Sequence, residues 1–117
     1  MKMSTMLLAV ALMFGAAPAY AKGVTMKEER PGLLSKAKIT AAAATAIAQA
    51  RVPKGKIVSA EIEEEGGRLL FSFDVRTKGE TGIDEVNVDA TTGKIANVQH
   101  ETPKDEAAET VADKKTK

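Results

Sequence analysis

Apolar and polar residues alternate most regularly along residues 56–77, which read KIVSAEIEEEGGRLLFSFDVRT. The two alternating arms flank Gly66 and Gly67, an arrangement typical of a β-hairpin with a two-residue turn. Glycine suits such a turn because it adopts positive φ angles without a Cβ clash. The turn predicts a register that pairs Glu65 with Arg68, Ile62 with Phe71, Ala60 with Phe73 and Val58 with Val75. The last three pairs share one apolar face, and a slip of one residue would turn that face to water.

The opposite face of the predicted hairpin is polar and should be exposed to solvent. Leu70 is the odd apolar residue on this face, and we interpret its surroundings as a candidate surface for a protein partner. The candidate partner-binding residues are Leu70, Ser72, Asp74 and Arg76. A free edge of the sheet, which can pair with an added strand, is the other candidate contact surface.

Residues 39–51, ITAAAATAIAQAR, predict the one convincing helix of the chain. Thr40 is suited to cap its N-terminus, because a threonine hydroxyl accepts a hydrogen bond from an unpaired first-turn N–H. Pro53 ends the helix, since proline cannot continue the backbone hydrogen-bond pattern. The residues expected to face the sheet at helical spacing are Ile39, Ala43, Ala46, Ile47 and Ala50, with Ile47 as the largest contact.

Two further strands follow the hairpin. Residues 83–90, IDEVNVDA, alternate so that Val86, Val88 and Ala90 point inward. Residues 95–101 form the predicted last strand, and the opposite parity of Ile95 and Val98 predicts a β-bulge near Gly93. The pattern therefore predicts an α+β fold with one Ala-rich helix packed on an antiparallel sheet of three to four strands. It leaves the order of the strands open.

This order of elements resembles the PepSY domain family. The matching stretches are the entry to the Ala-rich helix at residues 39–40, KIVSAEI at 56–62, FSFDV at 71–75 and VNVDATTGKI at 86–95. The resemblance implies a small exported protein with a single PepSY domain. Modules of this family are non-catalytic, occur in the propeptides of thermolysin-like metalloproteases, and are proposed to restrain or regulate peptidases. The family has no catalytic signature, so the resemblance transfers no active-site residue.

The N-terminus has the three parts of a secretory signal peptide. Lys2 supplies the positive charge, an apolar run follows, and Ala19-Tyr20-Ala21 matches a cleavage site. The apolar run is shorter than the roughly 20 residues that span a membrane, and no cysteine follows it for lipid attachment. We predict residues 1–21 as a signal peptide cleaved after Ala21. The exported product should be periplasmic or secreted, neither a lipoprotein nor stably inserted in the membrane.

The predicted organisation after cleavage is a linker at 22–36, a PepSY-like domain at 37–101 and a disordered charged tail at 102–117. The tail carries four acidic and four basic residues with little apolar bulk, too little to offset the entropy cost of ordering. Removing Lys2 lowers the formal net charge from +1 to zero. A balanced charge argues against a nucleic-acid partner, and without cysteine the domain depends on packing alone.

No cluster of residues in the sequence predicts a catalytic, cofactor or metal site. His100 is the sole histidine. Glu101 is the one potential ligand beside it, and two ligands are too few to bind a metal ion, so we expect His100 to be a surface residue. The acidic run at 61–65 suggests a cation patch, but an extended strand spreads its carboxylates too far apart, and a solvated face is the better interpretation. Asp84 and Asp89 point to opposite faces and do not form an acid–base pair. We therefore predict no enzyme activity.

Two functions of different kinds remain. The first is a non-catalytic exported binding module that regulates or inhibits a peptidase in the cell envelope, or binds another envelope protein there. The second is a structural or small-ligand or metal-responsive envelope protein, in which linker and tail tether the domain.

Overall fold

The computed structural model describes residues 24–103. The predicted signal peptide and all but the first two residues of the predicted tail lie outside this range. The elements are β1 (Met26–Glu28), a short 3-10 helix (Leu34–Lys36), α1 (Ala41–Arg51), β2 (Gly55–Glu65), β3 (Arg68–Thr77), β4 (Ile83–Asp89) and β5 (Ile95–Glu101). Within the described range no helix has both the length and the apolar character to cross a membrane.

The strands form one sheet in chain order, β1-β2-β3-β4-β5. β1 is parallel to β2, whereas β2, β3, β4 and β5 pair antiparallel with their neighbours. The α+β class with one helix on a sheet is confirmed. The prediction of three to four antiparallel strands is wrong, because the described part of the sheet has five strands and is mixed.

The additional strand, β1, lies in the segment predicted as a linker. It is three residues long and pairs Met26 with Ala60, so it is too short to show an alternating pattern. The chain after it stays attached to β2, because Glu29 N–H donates to the Ile62 carbonyl at 2.9 Å. Leu33 then inserts into the core with 1% of its surface exposed. Part of the predicted linker is therefore packed on the sheet.

The predicted hairpin register is confirmed from the turn up to Ala60. Gly66 and Gly67 both have positive φ, 59° and 79°. The predicted pairing of Val58 with Val75 is wrong, because Ile57 pairs with Val75 and the register shifts between Ile57 and Ser59. A β-bulge of this kind adds one residue to a strand and reverses its alternation beyond that point. Ile57 is consequently fully buried, and Val58 is 39% exposed.

The helix begins as predicted, but only part of its predicted face packs on the core. Thr40 Oγ1 accepts a hydrogen bond from Ala43 N–H at 3.0 Å, which confirms the cap. Ile39 and Ile47 of the predicted face are half-buried and pack against the core, which confirms their direction. Ala46 and Ala50 are exposed instead, and the buried helical residues are Ala44, Thr45 and Ala48. The prediction for the alanines was wrong because a helix made almost entirely of alanine has few large side chains that mark one side.

The core lies between α1 and the sheet. Phe71 and Phe73 are both fully buried there, with ring centroids 6.4 Å apart. The inward direction of Val86, Val88 and Ala90 is confirmed, since all three have no exposed surface. The predicted bulge in the last strand lies between Ile95 and Asn97, slightly beyond Gly93, because Val88 pairs with Ile95 while Asn87 pairs with Asn97.

The β2 bulge gives neighbouring residues opposite roles in stability. Ile57→Ala removes a buried side chain and should lower the free energy of unfolding by about 2–5 kcal/mol. Val58→Ala changes an exposed position and should cost at most about 1 kcal/mol. Urea unfolding of both variants measures the difference. Equal losses for the two variants would contradict the bulge and restore the simple alternation.

Candidate functional site

The sheet has two unlike faces. α1 contacts β2, β3 and β4 on one side, and no helix or strand within residues 24–103 covers the other side. We call this second side the open face. Its central side chains, by strand register, are Ser59, Glu61, Glu63 and Glu65 on β2, Arg68, Leu70, Ser72, Asp74 and Arg76 on β3, and Glu85, Asn87 and Asp89 on β4.

The four residues predicted as a partner-binding surface lie on the open face, but two of them are buried. Leu70 is 4% exposed and Ser72 is 8% exposed. Asp74 is half-buried and accepts a hydrogen bond from Ser59 Oγ at 2.9 Å. Arg76 is exposed, and its Nη1 donates to the Gly82 carbonyl at 3.4 Å. The expectation that Leu70 is an exposed apolar contact was therefore wrong.

The burial of Leu70 follows from the position of β3 in the middle of the sheet. Leu70 pairs with Glu63 on one side and with Asp89 on the other. Long side chains on adjacent strands cover a short apolar one between them. The sequence of the hairpin includes Glu63 but not Asp89. It could therefore not show that a side chain of β4 also covers Leu70.

Carboxylates crowd the end of the open face nearest the hairpin turn. Partial burial, together with the charges of Glu61, Glu65, Glu85 and Glu29, raises the pKa of Glu63 from 4.5 to about 7. A raised pKa means that the folded state disfavours the charged form of this carboxyl group. The sequence placed Glu61, Glu63 and Glu65 on one face correctly. The contribution of Glu85 required the pairing of β4 with β3.

A buried amide lies beside these carboxylates. Asn87 is 5% exposed, and its Oδ1 atom has no hydrogen-bond donor among the described residues. It pairs across the strands with Ser72, whose Oγ donates to Glu85 Oε2 at 3.4 Å. A buried acceptor without a donor costs free energy, and a donor from outside would reach this atom only if neighbouring side chains moved aside.

The other end of the open face is basic. Lys56 and Arg76 pair directly across β2 and β3. Together with Lys54, Val58 and Lys78 they line a cleft of about 380 Å³. Like charges directly opposite each other on a sheet are destabilising. The open face therefore carries negative charge near the hairpin turn and positive charge at the far ends of the same two strands.

The most specific stretch of the family resemblance, the turn after β4, has a structural role. Asp89 Oδ1 accepts hydrogen bonds from Thr91 N–H at 2.8 Å and Thr92 N–H at 3.0 Å. These two backbone donors, with a smaller effect of Arg68, lower the pKa of Asp89. The Ala90 carbonyl accepts hydrogen bonds from the N–H groups of residues 38 and 39. The turn thus holds the start of the helix against the sheet.

Three potential metal ligands meet at the far edge of the sheet. His100 Nδ1 lies 2.7 Å from Asp84 Oδ1, and this hydrogen bond is the main cause that raises the pKa of His100. Glu80 completes a group whose ligand atoms all lie within 4.8 Å of one another. The sequence suggested only Glu101 as a neighbour of His100. The other two residues come from a loop and from the adjacent strand, so their proximity depends on the pairing of β4 with β5.

Comparison with known families gives one match. The family described as PepSY, peptidase propeptide and YPEB domain, matches residues 38–99. This range includes α1 and all but the last two residues of the sheet from β2 onward, whereas β1 precedes it. Neither curated proteins nor solved structures gave a match.

The crowding at Glu63 predicts a stability that falls as pH rises. Between pH 4.5 and about 7 the folded state binds more protons than the unfolded state, so the free energy of unfolding decreases with rising pH in this window. Glu63→Gln should flatten that decrease and stabilise the protein at pH 8 by about 1 kcal/mol, once solvent screening of the half-exposed group is allowed for. Urea unfolding from pH 4.5 to 8 measures both effects.

Comparing the wild type with Glu63→Gln separates the effect of the Glu63 carboxyl group on stability from the effects of the other titratable or charged groups nearby. The charged neighbours from the elements around Glu63 are Lys27 and Glu29, Glu61 and Glu65, Arg68, and Glu85 and Asp89. His100, whose pKa is also raised, contributes a decline in the same direction near neutral pH in both proteins. Identical pH profiles for wild type and Glu63→Gln would contradict the crowded carboxylate cluster.

Proposed function

Because the chain belongs to the PepSY family, we propose that it is a non-catalytic, exported module that binds a peptidase of the cell envelope through its open face and restrains it. PepSY domains are in general non-catalytic propeptide or regulatory modules that associate with peptidases. They occur in exported proteins, and the signal peptide predicted at residues 1–21, with cleavage after Ala21, supports the same compartment.

The observation that carries the choice of surface is the crowding of carboxylates on the open face. Partial burial, together with the neighbouring like charges, raises the pKa of Glu63 to about 7 and reduces the stability of the isolated domain at neutral pH. Lysine or arginine side chains of a partner would offset that repulsion on binding. The repulsion between carboxylates that destabilises the free domain therefore also favours the binding of a partner with a basic surface.

Asn87 supports the same kind of partner. Its buried Oδ1 accepts no hydrogen bond from the described residues, and lysine and arginine carry only donors. A cationic side chain that reaches between the carboxylates would donate a hydrogen bond to Asn87 Oδ1 and would also offset the negative charge of the carboxylates. The residues that would make first contact at the acidic end are the exposed Glu65 and the half-buried Glu61 and Glu63, and Asp74 and Arg76 lie farther along the same face.

Leu70 and Ser72 have a supporting role in this proposal. Both are buried below the neighbouring side chains, so they shape the surface without being its contact atoms. Leu70→Asp is therefore unsuited to mapping the interface, because it would bury a charge and destabilise the free domain. Charge reversal at Glu61 and Glu63, which are more exposed than Leu70, tests the surface with a smaller cost in stability.

The proposal is tested by peptidase activity. We add the untagged protein, purified after export, to an envelope extract of the source organism from a strain that lacks it, and follow hydrolysis of a fluorogenic casein. We expect a dose-dependent loss of activity. The double variant Glu61→Lys/Glu63→Lys should need at least a tenfold higher concentration for half-maximal inhibition, since each reversed charge would repel the basic partner.

The double variant Lys38→Glu/Arg51→Glu is the matched control. It reverses the same number of charges, at two exposed residues next to and within α1 on the covered side of the sheet, and should inhibit like the wild type. Casein hydrolysis that no concentration of the wild-type protein reduces would refute the restraint of a peptidase. Equal loss of inhibition in both double variants would refute the open face as the contact surface.

A further inference from the structure

We propose that Glu80, Asp84 and His100 form a binding site for one divalent transition-metal ion of the zinc type. The three residues come from different parts of the chain, namely the loop before β4, β4 itself and β5. Each offers one ligand atom, and these atoms all lie within 4.8 Å of one another. The site is separate from the open face and does not rest on the function proposed above.

Strand register holds two of the ligands in place. Asp84 and His100 pair directly across β4 and β5, and His100 Nδ1 lies 2.7 Å from Asp84 Oδ1. Residues directly opposite each other on antiparallel strands have their Cβ atoms about 5 Å apart. Such a pair needs no backbone movement to bind the same ion.

The third ligand is held near the other two by a close backbone contact. Gly82, two residues after Glu80, has a φ of +78°, and a Cβ atom there would lie 2.0 Å from the Glu101 carbonyl oxygen. Only glycine fits this approach. The loop that carries Glu80 therefore lies directly against the end of the strand that carries His100.

The ligand spacing is close to what a metal ion requires. Zinc binds imidazole nitrogen at about 2.0–2.1 Å and carboxylate oxygen at about 2.0–2.2 Å, so tetrahedral ligands lie about 3.4 Å apart. The side chains of Glu80 and His100 are exposed, and rotation about their side-chain bonds closes the remaining gap. Solvent access at the same two residues leaves a fourth position open for water or an outside ligand.

The ligand types select the class of ion. Imidazole nitrogen suits zinc, copper and nickel, whereas calcium and magnesium prefer sites made entirely of oxygen. When His100 is neutral, the two carboxylates give the cluster a negative charge that a divalent ion offsets. The chain contains one histidine and no cysteine, so any imidazole-dependent metal binding must involve His100.

Isothermal titration of the untagged, exported protein with zinc chloride at pH 7.5 tests the site. We expect saturable binding of one ion per chain. His100→Ala and Glu80→Gln should each weaken the affinity at least tenfold, because each removes one of three ligands. Excess zinc should raise the unfolding temperature of the wild type, since the ion joins the loop to β5, and should raise that of His100→Ala by less.

Glu85→Gln is the matched control, because Glu85 neighbours Asp84 on β4 but points to the open face. Its zinc affinity should equal that of the wild type. No saturable zinc binding, or the same affinity in His100→Ala, would overturn the site. Equal affinity for calcium and zinc would overturn the assignment of the ion class. A variant that loses zinc binding but restrains the peptidase fully would show that the two properties depend on different residues. A variant that binds zinc but no longer restrains the peptidase would likewise show that the two sites are separate.

Discussion

The register of the β2–β3 hairpin is the constraint on which the rest of the structure depends. The two-residue turn at Gly66 and Gly67 places Ile62 opposite Phe71 and Ala60 opposite Phe73, which directs both aromatic rings towards α1. The same parity directs Leu70, Ser72 and Asp74 to the other side. A shift of one residue would exchange the two faces, so the turn decides both where the core lies and which residues form the open face.

The parts of the fold that depend on neighbouring residues in the chain could be predicted from the sequence. Thr40 and its helix, and the inward direction of Val86 and Val88, follow from local spacing alone. The errors concern contacts between distant segments. Leu70 is covered by residues of two flanking strands, β1 pairs with residues 34 positions away, and Ile57 replaces Val58 in the core because of a bulge. Glu80, Asp84 and His100 meet only after β4 and β5 have paired, so no spacing in the sequence reveals them.

The family resemblance and the candidate sites lie on different residues. The turn after β4, which carries the most specific part of the resemblance, uses Asp89 and Ala90 to tie the sheet to the start of α1. That role is structural, which agrees with the absence of a catalytic signature in the family. Function in such a domain depends on surfaces that the shared fold supports but does not specify. We propose that in this chain those surfaces are the charged open face and the edge near His100.

Opposite charges at the two ends of the open face make it an electric dipole aligned with β2 and β3. A molecule with unevenly distributed charge that approaches this face experiences a torque, so its orientation is selected before any side chains touch. At physiological ionic strength the field is screened beyond about 8 Å, which confines this selection to the last step of approach. The position of Lys56 and Arg76, at the end of the strands far from the β2 glutamates, would thus influence the rate of productive encounters more than the stability of the bound complex.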